Sequence, residues 1–264
     1  MLLKALIYCF TMSLAPADTL EMINEIAGEF TEITCDNMGF LYALNSKNNV
    51  LKFNLSGDTL YTFEDKSFPV DHVDAFSGLK VLVYNSQQNI VAFLDKTLSF
   101  INAPIQLDNL NIPISYAVAA SRDNNFWVFD EAAQELKKYD QNSKELNNSG
   151  NLTLVAGKTI QPTYLKEKNS KVYLLDSIQG VFQFDHLGTF IFQFKKITAN
   201  KIEIKGDKII FLKDKELYLY DTILLESQKI DLGNVVAVKD FTLSNRNLLV
   251  LTEQNIQVYR SALK

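Results

Sequence analysis

Residues 40–53 read FLYALNSKNNVLKF, in which a short apolar strand ends at the polar Asn45 and a second strand ends at the aromatic Phe53. Residues 171–184, KVYLLDSIQGVFQF, repeat the pattern with Asp176 and Phe184. Four further copies end their paired strands at Asn85 and Phe93, Asp130 and Tyr139, Lys213 and Tyr220, and Thr252 and Tyr259. Alternating apolar and polar residues with many β-branched and aromatic side chains indicate strands. The chain is therefore predicted to be an all-β repeat protein.

The six polar anchors lie 37–46 residues apart, at positions 45, 85, 130, 176, 213 and 252. A period of about 40–45 residues fits four short strands with their turns, which is one propeller blade. Leucine-rich repeats are shorter, and helical repeats need a 3.6-residue periodicity that this sequence lacks. The spacing predicts a six-bladed β-propeller with four-stranded antiparallel blades.

The first and last units predict how the ring closes. Blade 1 is expected to contain strands at 30–35, 40–45, 50–54 and 59–63, with turns rich in Asn, Gly and Ser between them. The sixth unit has too few residues after Tyr259 for a fourth strand, whereas residues 19–24 are a spare strand near the N-terminus. Because an unpaired blade edge exposes backbone hydrogen-bonding groups, we expect residues 19–24 to pair with the strand that ends at Tyr259.

The first 17 residues are typical of a secretory signal peptide. Lys4 precedes an apolar run of about ten residues, and Ala15-Pro16-Ala17 provides a small-residue cleavage site. Cleavage before Asp18 would leave one domain, residues 18–264, in the periplasm or outside the cell. A buried N-terminal strand is the alternative. The processed chain would keep one cysteine, Cys35, which is expected to be buried on the innermost strand of blade 1.

The composition excludes several classes of function. The net charge of −5 at pH 7 argues against a nucleic-acid partner, and no segment after the leader is long and apolar enough to insert into a membrane. The sequence contains no glycine-rich phosphate loop, no HExxH and no GxSxG, so no catalytic residue and no cofactor are predicted. We expect a protein that is not an enzyme and is monomeric outside a complex.

The repeat units at 40–57 and 172–188 resemble the NHL-type repeat. In that repeat a strand ends in Asp or Asn, and a polar turn leads to a strand that ends in an aromatic residue followed by an acid and a glycine. The resemblance implies a six-bladed propeller. It also implies an alternative function, that of the gluconolactonase-like hydrolases, which hold a divalent metal in the central channel of such a scaffold.

Acidic residues on the predicted innermost strands are the candidate metal ligands under that alternative. They are Glu32, Asp74, Glu167 and Glu203. His72, flanked by Asp71 and Asp74, is expected near the channel mouth. If the four acids converge on a metal ion, the protein would be a hydrolase or lyase acting on a small carbohydrate-like or lactone substrate.

Apolar residues beside prolines, on loops expected to open on one face, are the candidate partner site. They are Phe68, Pro69, Ile112, Pro113, Ile160 and Pro162. Exposed apolar clusters on loops often mark protein-binding sites. The favoured function is therefore a protein-binding scaffold or accessory subunit of a cell-envelope complex. The alternative is that these side chains pack between the blades.

Overall fold

A computed structural model describes residues 20–235, 237–244 and 246–260. They form six four-stranded antiparallel sheets arranged as the blades of a propeller, which confirms the predicted fold. The proposed signal peptide, its cleavage site and Thr19 lie outside the described residues. No helix in the described part of the chain is both long and apolar enough to cross a membrane.

Blades 1 to 3 follow one another along the chain. Blade 1 consists of β2 (Phe30–Cys35), β3 (Leu41–Asn45), β4 (Val50–Phe53) and β5 (Thr59–Phe63). Blade 2 consists of β6 (His72–Ser77), β7 (Lys80–Asn85), β8 (Ile90–Asp95) and β9 (Ile105–Gln106). Blade 3 consists of β10 (Val118–Ala120), β11 (Phe126–Asp130), β12 (Glu135–Tyr139) and β13 (Glu145–Asn148).

Blades 4 to 6 complete the ring. Blade 4 consists of β14 (Pro162–Lys168), β15 (Lys171–Asp176), β16 (Gly180–Asp185) and β17 (Phe190–Phe194). Blade 5 consists of β18 (Lys201–Lys205), β19 (Lys208–Lys213), β20 (Glu216–Asp221) and β21 (Glu226–Lys229). Blade 6 consists of β22 (Asp240–Leu243), β23 (Asn247–Leu251), β24 (Asn255–Arg260) and β1 (Glu21–Ala27). A 3₁₀ helix at Leu107–Leu110 and helix α1 at Thr153–Ala156 lie in connections between blades.

The ring closes through the N-terminal strand, as predicted. Strand β1 pairs antiparallel with β24, with Met22 opposite Tyr259 and Ile26 opposite Ile256. The side chain of Ile26 is buried in a cluster that combines residues of blades 6 and 1. Closure therefore pairs the backbone hydrogen-bonding groups at the outer edge of β24 and also completes the interface between blades 6 and 1.

The Asn and Asp anchors of the repeat cap the turns between the second and third strands. The Asn45 side chain accepts the amides of Lys47 and Asn49, and Asp176 accepts those of Ile178 and Gln179. An Asn or Asp side chain that bonds backbone amides two or more residues ahead fixes a tight turn. The recurrence of these residue types thus has a local structural cause.

The core lies between the blades. The repeated aromatic residues lie at or near the ends of the third strands and are all buried: Phe53, Phe93, Tyr139, Phe184, Tyr220 and Tyr259. Each belongs to an apolar cluster that combines side chains of two neighbouring blades. Cys35 is also buried, and burial raises the pKa of its thiol, so this cysteine is a core residue rather than a nucleophile.

Candidate functional site

The propeller has two faces around a central channel. We call the face formed by the turns between second and third strands and by the connections between blades the top face, and the opposite one the bottom face. The first strand of each blade lies innermost, because first strands contact one another from blade to blade. Side chains on these strands line the channel.

Glu32 connects blade 1 to blade 2. One of its carboxylate oxygens lies 2.8 Å from Nδ1 of His72, and the other accepts the amide of Val73 at 3.3 Å. Burial opposes ionisation of Glu32, but the attraction of His72 and Lys201 and the bond from Val73 outweigh it, so the pKa of Glu32 is lowered. Burial likewise opposes charge on His72, yet the carboxylate of Glu32 raises its pKa.

Asp74 and Glu167 join blades 2, 3 and 4. Asp74 accepts the amide of Ala120 at 2.9 Å. Glu167 accepts the indole N–H of Trp127 at 2.7 Å and also binds the hydroxyl of Ser121. These carboxylates therefore satisfy polar groups on the neighbouring blade.

Glu203 and Asp240 do the same on the other side of the ring. Glu203 lies 2.9 Å from the ammonium of Lys166 and accepts the hydroxyl of Thr242 at 3.0 Å. Asp240 lies 2.8 Å from Nζ of Lys201. Burial raises the pKa of Asp240, and the attraction of Lys201 partly offsets this shift.

The sequence prediction missed Lys166, Lys201, Asp240 and Thr242. Their signal is a charged or hydroxyl residue next to buried apolar residues on an innermost strand, as in the alternating segment KIEIK at 201–205. Such a residue must point into the channel and find a partner there, since an unpaired buried charge is costly. The sequence of one strand does not show which other blade supplies that partner.

The predicted metal ligands do not form a ligand cluster. Glu32, Asp74, Glu167 and Glu203 each bind a group of an adjacent blade, as described above. Across the described residues, no three His, Cys, Asp or Glu side chains are grouped so that they could hold a metal ion. The channel acids instead join the blades to one another.

A cavity of about 290 Å³ lies at the top mouth of the channel. Its wall includes His72, Tyr84, Tyr116 and Tyr164. The ring of Tyr164 meets His72 edge to face, with centroids 6.3 Å apart. His72, the partner of Glu32, thus lines a space whose volume is just below the range of small-molecule sites.

The loop residues predicted to be exposed are mostly core residues. Phe68, Ile112 and Ile160 are 4%, 0% and 0% exposed, so their expected exposure is wrong. Pro162 is buried as well, Pro69 is half-buried, and Pro113 is exposed. The three apolar side chains fill interblade clusters because the connections fold back on the preceding turns.

Hydrogen bonds hold these connections in place. Asn89 donates to the carbonyl of Ile112, and Gln134 both donates to and accepts from the backbone of Ile160. Asn48 binds the carbonyl of Val70 in the same way. The turns and the connections therefore form one ordered surface, although not the surface that the sequence predicted.

Other apolar side chains are exposed on the top face. They lie on consecutive loops of blades 3 and 4, and we call them the blade 3–4 patch: Ile114, Tyr116, Leu154, Val155 and Ile178. Leu154 is 88% and Ile178 is 74% exposed. The loops contact one another through bonds from Glu131 to Ile114 and from Gln179 to Thr159.

Glu131 lies among the loops of this patch. Its Oε1 atom is buried and has no hydrogen-bond partner among the described residues. Burial, with repulsion from Asp130 and Asp176, raises the pKa of Glu131 to about 7. Buried carboxyl oxygens are nearly always hydrogen-bonded, so this one is an unusual acceptor without a partner among the described residues.

Comparison with known proteins shows the fold alone. No family model and no curated protein matches the chain, so the NHL-type repeat stays a prediction. A streptogramin B lyase structure is 11% identical with a TM-score of 0.60, over 93% of this chain and 87% of the other. The Neurospora crassa Pan2 WD40 domain is 12% identical with a TM-score of 0.58, over 85% and 73%. The computationally designed Ika8 protein is 12% identical with a TM-score of 0.53, over 88% and 71%.

Proposed function

We propose that the protein is an exported scaffold of the cell envelope that docks a protein partner through the blade 3–4 patch. The observation that carries this proposal is a group of large apolar side chains, exposed together on loops of one face. Contiguous exposed apolar residues rimmed by polar groups mark interaction sites. Outside such a complex we expect a monomer, and the proposal includes no enzymatic step.

The order of the patch supports this proposal. The loop that carries Leu154 is fixed by Asn151, whose amide donates to Ala133, and by Leu152, whose amide donates to Gln134. A surface that is already ordered loses little conformational entropy when a partner binds. The patch is therefore suited to binding a partner without rearrangement.

Glu131 adds specificity to the proposed surface. A partner N–H or ammonium group that reached Oε1 would satisfy the one buried carboxyl oxygen that has no hydrogen bond among the described residues. Its attraction to the carboxylate would also offset the repulsion from Asp130 and Asp176. We therefore expect the partner to present a basic side chain flanked by apolar ones.

The test compares two surface variants of the tagged full chain. Leu154→Ser with Ile178→Ser changes the patch, whereas Ile223→Ser with Leu224→Ser changes residues of similar exposure on the bottom face. In pull-downs from the native envelope, the first variant should lose the partner and the second should retain it. Equal recovery by both would contradict the proposal, and unchanged melting temperatures would exclude misfolding.

A second candidate is proton-transfer catalysis on a small molecule at the channel mouth. The His72–Glu32 pair at the cavity favours it, and one protein of similar fold is a streptogramin B lyase. A histidine held by a carboxylate can act as a general acid or base. Turnover of a panel of small lactones by the wild type, lost in His72→Gln, would support this candidate, whereas identical rates would remove it.

A further inference from the structure

Blades 1 and 3 use the same turn between their first two strands. In blade 1 the amide of Asp36 donates to Phe40, and in blade 3 the amide of Ser121 donates to Asn125. Gly39 and Asn124 occupy the same left-handed position, with φ of 92° and 65°. Met38 and Asp123 are therefore the third residues of these two equivalent turns, 36–40 and 121–125.

A buried lysine accompanies this turn in both blades. Lys138 precedes Tyr139 at the end of β12, and Lys52 precedes Phe53 at the end of β4. In blade 3 the ammonium of Lys138 lies 2.7 Å from Oδ2 of Asp123. Because blade 1 has Met38 at the position of that acid, Lys52 lacks the counter-ion that blade 3 supplies to Lys138.

The remaining contacts of Lys52 are uncharged. Its ammonium donates to the carbonyl of Lys96 at 3.0 Å and lies over the rings of Phe40 and Tyr42, 4.5 Å and 5.3 Å from their centroids. No ion pair joins Lys52 to a carboxylate in the described part of the chain. An ammonium has three N–H donors, so the single bond to a carbonyl leaves Lys52 with donor capacity that a carboxylate could use.

The two nearest carboxylates are committed to other groups. Asp36 accepts the amides of Met38 and Phe40 and the hydroxyl of Tyr42. Asp95 caps its own turn by accepting from Thr97 and Ser99. They moderate the local potential but do not pair directly with Lys52.

Lys52 lines a groove of about 380 Å³ on the bottom face between blades 1 and 2. The side chains of Met38, Leu60, Tyr61 and Leu79 form its wall and are exposed. The volume is in the range of small-molecule sites, about 300–1,000 Å³. The groove thus combines apolar walls with a cation that has no carboxylate partner among the residues that the structure describes.

The equivalent pocket between blades 3 and 4 contains the acid that the groove between blades 1 and 2 lacks among its described lining residues. It is lined by Arg122, Asp123, Lys138, Ser170 and His186, among others, so its wall is polar. There the protein supplies both charges of the ion pair. Between blades 1 and 2 the described residues that line the groove include Lys52 and Lys96 but no acid, and apolar surface takes the place of the acid.

We propose that the groove between blades 1 and 2 binds a small amphiphilic carboxylate, such as a medium-chain fatty acid. Its carboxylate would accept hydrogen bonds from Lys52, taking the part that Asp123 plays toward Lys138. Its apolar chain would cover Met38, Leu60, Tyr61 and Leu79. A charge-assisted hydrogen bond combined with apolar burial accounts for recognition of both parts of the ligand.

The test is calorimetric titration of the full chain with sodium decanoate below its micelle concentration. We expect saturable binding of one decanoate per chain, with 1-decanol at least about tenfold weaker because it lacks the charge. Met38→Asp restores the acid that blade 3 carries and should occupy Lys52 internally. Met38→Asn makes the same change of shape without the charge.

The comparison between these two variants decides the proposal. Decanoate should bind Met38→Asp at least about tenfold more weakly than Met38→Asn. Lys138→Met, at the corresponding position of blade 3, should leave the affinity unchanged. Equal affinities of the two Met38 variants, or absence of saturable binding to the wild type, would overturn the proposal. Retention on vesicles containing phosphatidylglycerol without binding of monomeric decanoate would overturn it in favour of a membrane surface.

Discussion

Oδ2 of Asp240 lies 2.8 Å from the ammonium of Lys201 and also accepts the amide of Ile33 at 2.7 Å. The same ammonium donates to the carbonyl of Ile33 at 2.7 Å. These three residues belong to blades 6, 5 and 1, so one buried cluster joins three blades at the point where the ring closes. The channel charges thereby act as structural connections.

Asp240→Asn should be strongly destabilising, because it leaves Lys201 charged and unpaired beside the channel. Breaking a buried ion pair costs about 3–5 kcal/mol, and denaturant unfolding would measure the loss. The added change Lys201→Met removes the stranded charge and should recover part of that free energy. Glu216→Gln, which alters an exposed pair with Lys229, serves as the control and should have little effect. Similar losses for both single variants would contradict the structural role of the cluster.

Ile26→Ala should show that β1 seals the ring through its buried side chain. Ile26 is buried between blades 6 and 1, and removal of such a side chain costs about 2–5 kcal/mol. Met22→Ala changes the same strand at a side chain that is 52% exposed and should cost far less. Thermal unfolding of both variants provides the measurement. If Ile26→Ala melts as the wild type does, β1 contributes no closure.

The pair of His72 and Glu32 should make stability depend on pH in a defined window. The raised pKa of His72 gives stability that is complete below its ordinary pKa of 6.5 and is lost as the pH rises through the folded value. The lowered pKa of Glu32 gives stability that is complete above 4.5 and is lost as the pH falls through the folded value. Both contributions are therefore present between about pH 4.5 and 6.5. The free energy of unfolding should be measured as a function of pH for the wild type and for His72→Gln. The difference between the two proteins should be largest between about pH 4.5 and 6.5. Parallel profiles would refute the coupling.

Gly180→Ala should be strongly destabilising at the buried start of β16. Gly180 has φ of 98°, and an added Cβ would clash with the carbonyl oxygen of Phe194. Gly206 also has positive φ, 58°, but an added Cβ there meets nothing within 4 Å. Gly206→Ala therefore reports the backbone strain alone, of about 1 kcal/mol. The excess loss in Gly180→Ala, read from equilibrium unfolding, measures the steric conflict, and its absence would mean that the turn relaxes freely.

Local chemistry made much of the fold predictable. Asn45, Asn85, Asp130 and Asp176 recur because each caps a turn with its own side chain, so their spacing gives the period of the blades. Two strands of blade 1, β2 and β5, have the predicted bounds, and the other two differ by one residue. The missing turn glycines that weaken the repeat in other units are replaced by Leu98 and Ser143, which adopt positive φ.

The candidate site was less predictable because its partners come from different blades. The sequence placed Glu32, Asp74, Glu167 and Glu203 on innermost strands, and all four lie there. It did not show that each binds a group on an adjacent blade, about 40 residues away in sequence in most cases. A metal cluster and a ring of interblade bonds require the same residue types at the same positions, and only the distances distinguish them.

The sequence by itself determined the number of blades, the strand pattern and the closing strand, because alternation, turn capping and an unpaired last edge are properties of short segments. The tertiary structure decided which loop residues meet water. Phe68, Ile112 and Ile160 are buried, whereas Ile114 and Leu154 on the same connections are exposed. Their burial depends on how each connection folds against the preceding turn, through the bonds of Asn89 and Gln134. Those contacts join residues about 25 positions apart, beyond the reach of any local pattern, and they exist only once the blades have packed together.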